Sequence, residues 1–184
     1  NGCAERACEG LGEVSVSEIV LDASLQLYDK IPTAEIDKAL ILSSRSKIEK
    51  EPSYAYVAAR LLLTNLYKEV FGESVDSDVF EQQYKKSFIQ NVKKLVKANR
   101  LSKELLSYDL NLLSNHIAPE RDKLFKYLAI QTLYDRYFIH VDQRRMETPQ
   151  SFYMRVAMGL CLKEKNKEEK AIEIYKMMSE FRYS

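Results

Sequence analysis

The stretch that decides the fold is EPSYAYVAARLLLTNLYKEVFG, residues 51–72. Its apolar side chains recur at intervals of three and four residues, which is the spacing that places side chains on one face of an α-helix. They are Tyr54, Val57, Ala58, Leu61, Leu62, Leu66 and Val70. The pattern predicts a helix that buries this stripe and ends at Gly72, because glycine readily adopts the left-handed backbone that follows many helices.

Helical periodicity continues on both sides of this stretch. Ser15 or Ser17 is expected to cap the second helix, and Thr33 the third. The segments YFIH and RRM, separated by the polar VDQ, give the strand signal and predict a short β-hairpin. Helices are predicted at 1–11, from the cap at Ser15 or Ser17 to about 28, from 33 to about 50, at 54–72, from 80 through the basic positions up to 100, and at 119–133, 149–162 and 171–181, with short helical pieces at 102–108 and 110–115. The fold class is therefore mainly α, an irregular helical bundle of about eight to ten helices with one short β-hairpin.

Composition limits the partners of the chain. The 184 residues include 28 Lys and Arg against 27 Asp and Glu, a formal net charge of +1, so no overall field attracts nucleic acid or an anionic membrane. No apolar run approaches the roughly 18 residues that a membrane span needs, and no signal peptide is recognisable. We therefore expect a cytoplasmic protein with no membrane partner.

One predicted helix has a basic face that could follow a phosphate backbone. It consists of Lys85, Lys86, Lys93, Lys94, Lys97 and Arg100. No aromatic residue lies between these cations on the same face, and the net charge is near zero, so a solvated face is favoured over nucleic-acid binding.

The sequence contains no pattern that predicts a catalytic, metal or cofactor site. Cys161 lies in an apolar run and is best explained as a small core residue. His140 and Asp142 could orient each other, but a polar contact within the hairpin explains them equally well. The cysteines and histidines do not cluster at metal-ligand spacing, and no glycine-rich phosphate loop is present.

Two polar residues stand out in the apolar segment PQSFYMRVAMGL, residues 149–160. An unpaired charge there would be costly, so Arg155 must reach a carboxylate, a helix C-terminus or a ligand, and structural pairing is favoured. Gln150 is either a neighbour in the same polar network or a cap in the first helical turn. Pro149 suits that first turn, where its missing N–H has no cost.

Four segments resemble, in order, the N-terminal part of the large, catalytic subunit of class I ribonucleotide reductase. EVSVSEIVLDASLQLYDKIPTAEIDKALI resembles the helical half of the family's regulatory ATP-cone, and the stretch at 51–72 resembles the helix that follows it. APERDKLFKYLAIQTLYDRYFI carries an Arg-Asp pair, Arg121 and Asp122. ETPQSFYMRVAMGL is the sharpest match, with Pro149, Gln150, Met154, Arg155, Val156, Ala157 and Gly159 at the family's spacing.

The resemblance implies two domains: a truncated ATP-cone half at 1–50 and the N-terminal helical domain of the large subunit at 51–184. ATP and dATP are the effectors of the intact family, and Thr33 and Asp37 match nucleotide-facing positions of the cone. Some relatives have histidine where Asp37 stands, and a carboxylate would repel phosphate. The cone's opening strands, with their Lys-Arg-Asp-Gly sequence, would precede Asn1.

The resemblance also implies a function. The chain is expected to be a fragment or split piece of ribonucleoside-diphosphate reductase, a scaffold with a remnant of the allosteric module, inactive alone because the family's catalytic residues would follow residue 184. Its partners would be the remainder of the large subunit and the small radical-generating subunit. The alternative is a free-standing helical binding module for a protein or nucleic-acid partner.

Overall fold

The fold is mainly α, as predicted. The computed structural model describes residues 2–25, 31–72 and 79–182. The α-helices are α1 (Gly2–Cys8), α2 (Val16–Ser24), α3 (Thr33–Ser46), α4 (Tyr54–Phe71), α5 (Phe80–Lys97), α6 (Leu110–Asn115), α7 (Tyr127–Arg136), α8 (Pro149–Leu160) and α9 (Lys167–Ser179). In the described residues, 3-10 helices cover Lys103–Ser107 and Pro119–Leu124, and the strands are β1 (His140–Val141) and β2 (Arg144–Arg145). None of the described helices is long and apolar enough to cross a membrane.

The chain forms two compact units, and α4 contributes its first part to one and its last part to the other. The first unit contains residues 1–65 and 123–135. In it, the Ser43 hydroxyl donates to the Ile19 carbonyl at 3.1 Å, and the Ser15 backbone N–H donates to the Tyr54 hydroxyl at 3.0 Å. Arg60 donates to the carbonyls of Ala7 and Glu9 at 3.1 and 2.7 Å. These contacts tie α1, α2 and α3 to the buried start of α4.

The second unit contains residues 66–122 and 136–184. Helix α5 buries an apolar stripe, with Tyr84, Phe88, Val92 and Leu95 all in the core. Helices α8 and α9 pack together, and the Tyr108 hydroxyl donates to the Met158 carbonyl at 2.7 Å. This unit therefore has a core of its own, built around α5, α8 and α9.

The hairpin is present where the sequence predicted it. Strands β1 and β2 pair antiparallel, with His140 opposite Arg145. The two turn residues, Asp142 and Gln143, have φ values of 49° and 61°. Positive φ at both central positions defines the type I′ turn, whose twist suits a two-residue hairpin. Arg144 donates to the Val70 carbonyl at 3.2 Å, so the hairpin binds the C-terminal end of α4.

Helix α4 ends as its sequence predicted. Gly72 follows its last residue with φ of 78°, and its N–H donates to the Lys68 carbonyl at 2.9 Å. A Cβ at this position would lie 2.6 Å from a guanidinium nitrogen of Arg144. Both the backbone conformation and the approach of the hairpin therefore favour glycine here.

Two predictions about helix starts had different outcomes. Ser15 caps α2, because its hydroxyl accepts from the Glu18 N–H at 3.3 Å. The prediction that Thr33 caps α3 is wrong: Thr33 is the first helical residue, and Pro32 holds the cap position without a side-chain bond. Pro32 has φ of −61° and an extended ψ of 143°, the cap geometry, so the helix starts one residue earlier than a Thr33 cap would require. The end predicted for α2, at residue 28, lies outside the described residues.

The single helix predicted over 119–133 is in fact a 3-10 helix followed by α7. Phe125 lies in the break and is buried, as is Ile130 in α7, whereas Leu128 is 77% exposed. In one continuous helix, residues five apart point in directions about 140° apart. The break allows both Phe125 and Ile130 to enter the core of the first unit.

Candidate functional site: a buried carboxylate held by neutral groups

Among the described acidic groups of the second unit, Asp122 is the most enclosed, at 1% exposure. It lies in the 3-10 helix Pro119–Leu124. One carboxylate oxygen accepts from the hydroxyls of Tyr67 and Tyr84 at 2.7 and 2.8 Å. The other accepts from the side-chain amide of Gln150 at 2.9 Å. All three donors are neutral groups.

A second layer of hydrogen bonds holds these donors in place. The backbone N–H of Gln150 donates to the Tyr84 hydroxyl at 3.0 Å. The Gln150 carbonyl oxygen accepts from the Tyr175 hydroxyl at 3.0 Å, and that hydroxyl accepts from the Ala118 N–H at 2.9 Å. Tyr67, Tyr84, Asp122, Gln150 and Tyr175 are named the Asp122 network below. It joins the end of α4 to α5, the 3-10 helix, α8 and α9.

Burial dominates the proton affinities of the network. It raises the pKa of Asp122 to about 7, although the hydrogen bonds from Tyr67, Gln150 and Tyr84 lower it in part. Burial also raises the pKa of Tyr67 and of Tyr84 well above the ordinary value, and the Asp122 charge adds to both shifts. The pKa of Tyr175 is raised to about 12, chiefly by burial. The tyrosines therefore remain neutral donors at physiological pH.

The geometry of the Asp122 network is that of a structural centre. Asp122, Tyr84, Gln150 and Tyr175 are at most 1% exposed, and their polar atoms bind one another. Buried polar groups that are all hydrogen-bonded fix the relative position of the elements that carry them. A substrate would have to break these bonds to reach the carboxylate, so the arrangement suits support and not general acid–base work.

Arg121 and Asp122, adjacent in sequence, have different partners. The guanidinium of Arg121 donates to the Ser179 hydroxyl at 2.5 Å and to the Glu180 carboxylate at 2.6 Å, and it lies 6.0 Å from the centre of the Tyr175 ring. Arg121 therefore fastens the 3-10 helix to the end of α9, while Asp122 fastens it to α5 and α8.

Arg155 reaches a carboxylate, that of Glu147. Its Nε donates to one oxygen of Glu147, and a terminal nitrogen donates to the other at 3.2 Å. The same carboxylate accepts from the Ile139 N–H at 2.8 Å. Burial raises the pKa of Glu147, and the Arg155 charge opposes this rise. Gln150, placed by one sequence interpretation in the network of Arg155, instead binds Asp122, because α8 directs the two side chains to different neighbours.

The remaining sequence candidates lie apart from the Asp122 network. Thr33 is exposed and Asp37 half-buried on α3, in the first unit. On α5, Lys85 pairs with Glu81 at 2.6 Å, and the other cations of the basic face are exposed. Cys161 is buried and free, and burial raises its pKa. Among the described residues, no group of three or more His, Cys, Asp or Glu could hold a metal ion.

Sequence reasoning missed four residues that complete the two polar centres: Tyr67, Tyr84, Tyr175 and Glu147. Tyr84 and Tyr175 lie in the buried stripes of α5 and α9. The available signal was chemical: a tyrosine in a buried stripe needs a partner for its hydroxyl.

Comparisons with known proteins agree with this architecture. The family model described as ribonucleotide reductase, all-alpha domain, matches residues 123–184. The ribonucleoside-diphosphate reductase subunit alpha of Chlamydia muridarum is 44% identical over 97% of this chain and 17% of that protein. The Chlamydia trachomatis subunit is 42% identical over the same shares. The Helicobacter pylori subunit is 37% identical over 95% of this chain and 21% of that protein. The chain thus spans about a fifth of the length of these relatives.

Proposed function

The chain belongs to the large-subunit family of ribonucleotide reductases as an N-terminal piece, and on that premise we propose that it serves ribonucleoside-diphosphate reduction as a scaffold, without catalytic residues of its own. The relatives are named for the whole reaction, of which the matched region is a small part. The proposed role is to hold helices in a fixed arrangement beside the part of the enzyme that performs the chemistry.

The observation that carries this proposal is the closed Asp122 network. A catalytic carboxylate must be reachable by the atom whose proton it moves. Both carboxylate oxygens of Asp122 instead accept hydrogen bonds from Tyr67, Tyr84 and Gln150, and the residue is 1% exposed. Glu147, the other buried acid, is likewise occupied by Arg155 and the Ile139 N–H. We therefore assign both acids a structural role, which is to hold the surrounding helices in place.

The proposed partners are the remainder of the large subunit and, in the holoenzyme, the small radical-generating subunit, in the cytoplasm. The test is to mix the 184-residue chain with a purified remainder of the large subunit and the small subunit, and to measure deoxyribonucleotide formation. We expect activity with the mixture and none with the chain alone. Efficient turnover by the chain alone, or no association at micromolar concentration, would contradict the proposal.

For the first unit, we propose that residues 1–50 are the helical half of an ATP-cone that binds ATP and dATP weakly in this chain. The support is Asp37 on α3, because a carboxylate repels phosphate where a histidine could attract it. Calorimetric titration with each nucleotide should give little or no heat. The Asp37→His variant is titrated in the same way for comparison. Tight binding of ATP or dATP by the unmodified chain would refute the proposal of weak nucleotide binding.

The second candidate function is a free-standing binding module. The observation in its favour is the exposed basic face of α5, in which Lys86, Lys93, Lys94 and Lys97 point to solvent. Contacts with phosphates would make binding fall steeply with salt. Anisotropy with duplex and single-stranded DNA, comparing the chain with a Lys93→Glu and Lys97→Glu double variant, decides between the two functions. Salt-dependent binding that the double variant loses would favour this candidate.

A further inference from the structure

Helix α8 has an apolar face that remains open to solvent. Phe152, Val156 and Leu160 are spaced four residues apart, so they lie one above another on the same side of the helix. Phe152 and Val156 are half-buried, and Leu160 is 66% exposed. A helix that is apolar on all sides is normally buried on all sides. The open side of α8 is therefore a surface that the described part of the chain leaves uncovered.

Two neighbours extend this face. The ring of Tyr137, which is 55% exposed, lies 6.2 Å from the ring of Phe152, centre to centre. Gly159 is exposed, and a Cβ built there would meet nothing within 4 Å. A glycine on an open helix surface lets another backbone approach closely. Tyr137, Phe152, Val156, Gly159 and Leu160 are named the α8 face below.

The charge of the α8 face indicates which class of molecule could bind there. The cation that contacts the Phe152 ring is Arg155, whose guanidinium lies 5.1 Å from the ring centre. Glu147 binds that guanidinium, so its charge is neutralised within the chain. Nucleic acid and anionic membrane surfaces require unpaired cations. An apolar, aromatic surface beside a paired arginine instead has the composition of a protein–protein interface.

The lengths of the relatives point to one kind of partner. The relatives that match 95–97% of this chain are about five times longer, so most of each lies outside the matched region. The α8 face lies within the segment 123–184 that matches the all-alpha domain. We propose that the α8 face is the surface on which the remainder of the reductase large subunit docks. This inference rests on the proposed function, and it adds the site of contact.

The test measures binding of the full 184-residue chain to the purified remainder of the large subunit by calorimetry. Leu160→Arg places a charge at the C-terminal end of the face, and Gly159→Arg adds bulk where the isolated chain has open space. We expect each variant to unfold thermally like the unmodified chain and to raise Kd about tenfold or more. Leu112→Arg is the matched control, because Leu112 is also exposed, at 41%, on α6 of the same unit. Its Kd should stay unchanged.

The outcomes separate this inference from the proposed function. If the unmodified chain binds and the two α8 variants bind equally well, the docking surface is elsewhere and the proposed function stands. The inference also fails if Leu112→Arg weakens binding as much as the α8 variants do. If the unmodified chain does not bind the remainder at all, both the proposed function and the docking surface are refuted.

Discussion

Two buried acids in the second unit solve the same physical problem in different ways. Asp122 is 1% exposed and Glu147 is 3% exposed, so both have lost nearly all contact with water. Asp122 is surrounded by hydroxyl and amide donors, whereas Glu147 is bound by the guanidinium of Arg155. Neutral donors replace the hydrogen bonds that a carboxylate loses when it leaves water, but they do not balance its negative charge. The guanidinium of an ion pair replaces the hydrogen bonds and balances the charge.

Because their donors differ, the two acids respond differently to a change of pH and to the loss of a partner. Asp122 can take up a proton near neutral pH, because burial raises its pKa to about 7 and no cation is among its three donors. Glu147 depends on Arg155, which opposes the rise that burial imposes on its pKa. Removing the partner of Glu147 leaves a buried charge, whereas removing Asp122 leaves buried donors.

The largest effect is expected for Arg155→Ala. This change leaves the Glu147 carboxylate buried without a cation, and such a loss typically costs about 3–5 kcal/mol. The free energy of unfolding is measured by urea denaturation followed by circular dichroism, since the chain has no tryptophan. The double variant with Glu147→Gln should recover part of the loss. A cost below about 1 kcal/mol would show that the pair resembles an exposed salt bridge.

The next effect is that of Asp122→Ala. It leaves the hydroxyls of Tyr67 and Tyr84 and the amide of Gln150 without their acceptor. Each buried donor without a partner costs about 1–3 kcal/mol, so a total of about 3 kcal/mol is expected if water enters the space. Asp135→Ala, at an exposed position on α7, is the control and should cost little. Equal losses in the two variants would show that the Asp122 network does not stabilise the fold.

The pH dependence of stability sharpens the comparison further. The folded carboxyl of Asp122 keeps its proton up to about pH 7, whereas the unfolded carboxyl loses it near its ordinary value of 3.8. The folded state therefore binds more protons between these values, and stability falls as pH rises through this window. From pH 5 to pH 8 the unmodified chain should lose about 3 kcal/mol relative to Asp122→Asn, which has no proton to release. A difference independent of pH would contradict the raised pKa.

The smallest losses of stability are expected when either tyrosine that binds Asp122 is replaced by phenylalanine. Tyr67→Phe removes one donor from the carboxylate and should cost about 1 kcal/mol. Tyr84→Phe should cost more, because the Tyr84 hydroxyl also accepts from the Gln150 N–H, which would be left buried without an acceptor. Both values come from the same urea experiments. A larger loss for Tyr67→Phe would reverse the assigned order of the two hydroxyls.

Much of the fold could be predicted from the sequence, because its signals are local. The stripe of α4 and its end at Gly72, the cap at Ser15, the hairpin and Pro149 in the first turn of α8 all depend on residues close together in the chain. The errors arose where packing decided between local alternatives. The helix at 119–133 breaks because Phe125 and Ile130 both enter the core, and Thr33 yields the cap position to Pro32.

The candidate site was predictable only in part. Arg155 in an apolar helix requires compensation, so its pairing could be expected, but Glu147 was not identifiable as the partner. Asp122 was singled out through the family resemblance and Gln150 as a polar residue in an apolar segment, and 28 residues separate them in the sequence. No pattern of spacing brings together residues this far apart.

The sequence by itself determined the helices, the hairpin and the family, because periodicity, turn chemistry and motif order are carried by neighbouring residues. Only the tertiary structure decided that Tyr67, Tyr84, Gln150 and Tyr175 surround one carboxylate, and that one face of α8 stays open. The physical reason is that hydrogen bonds and burial depend on which groups meet in space, and packing between helices sets those meetings.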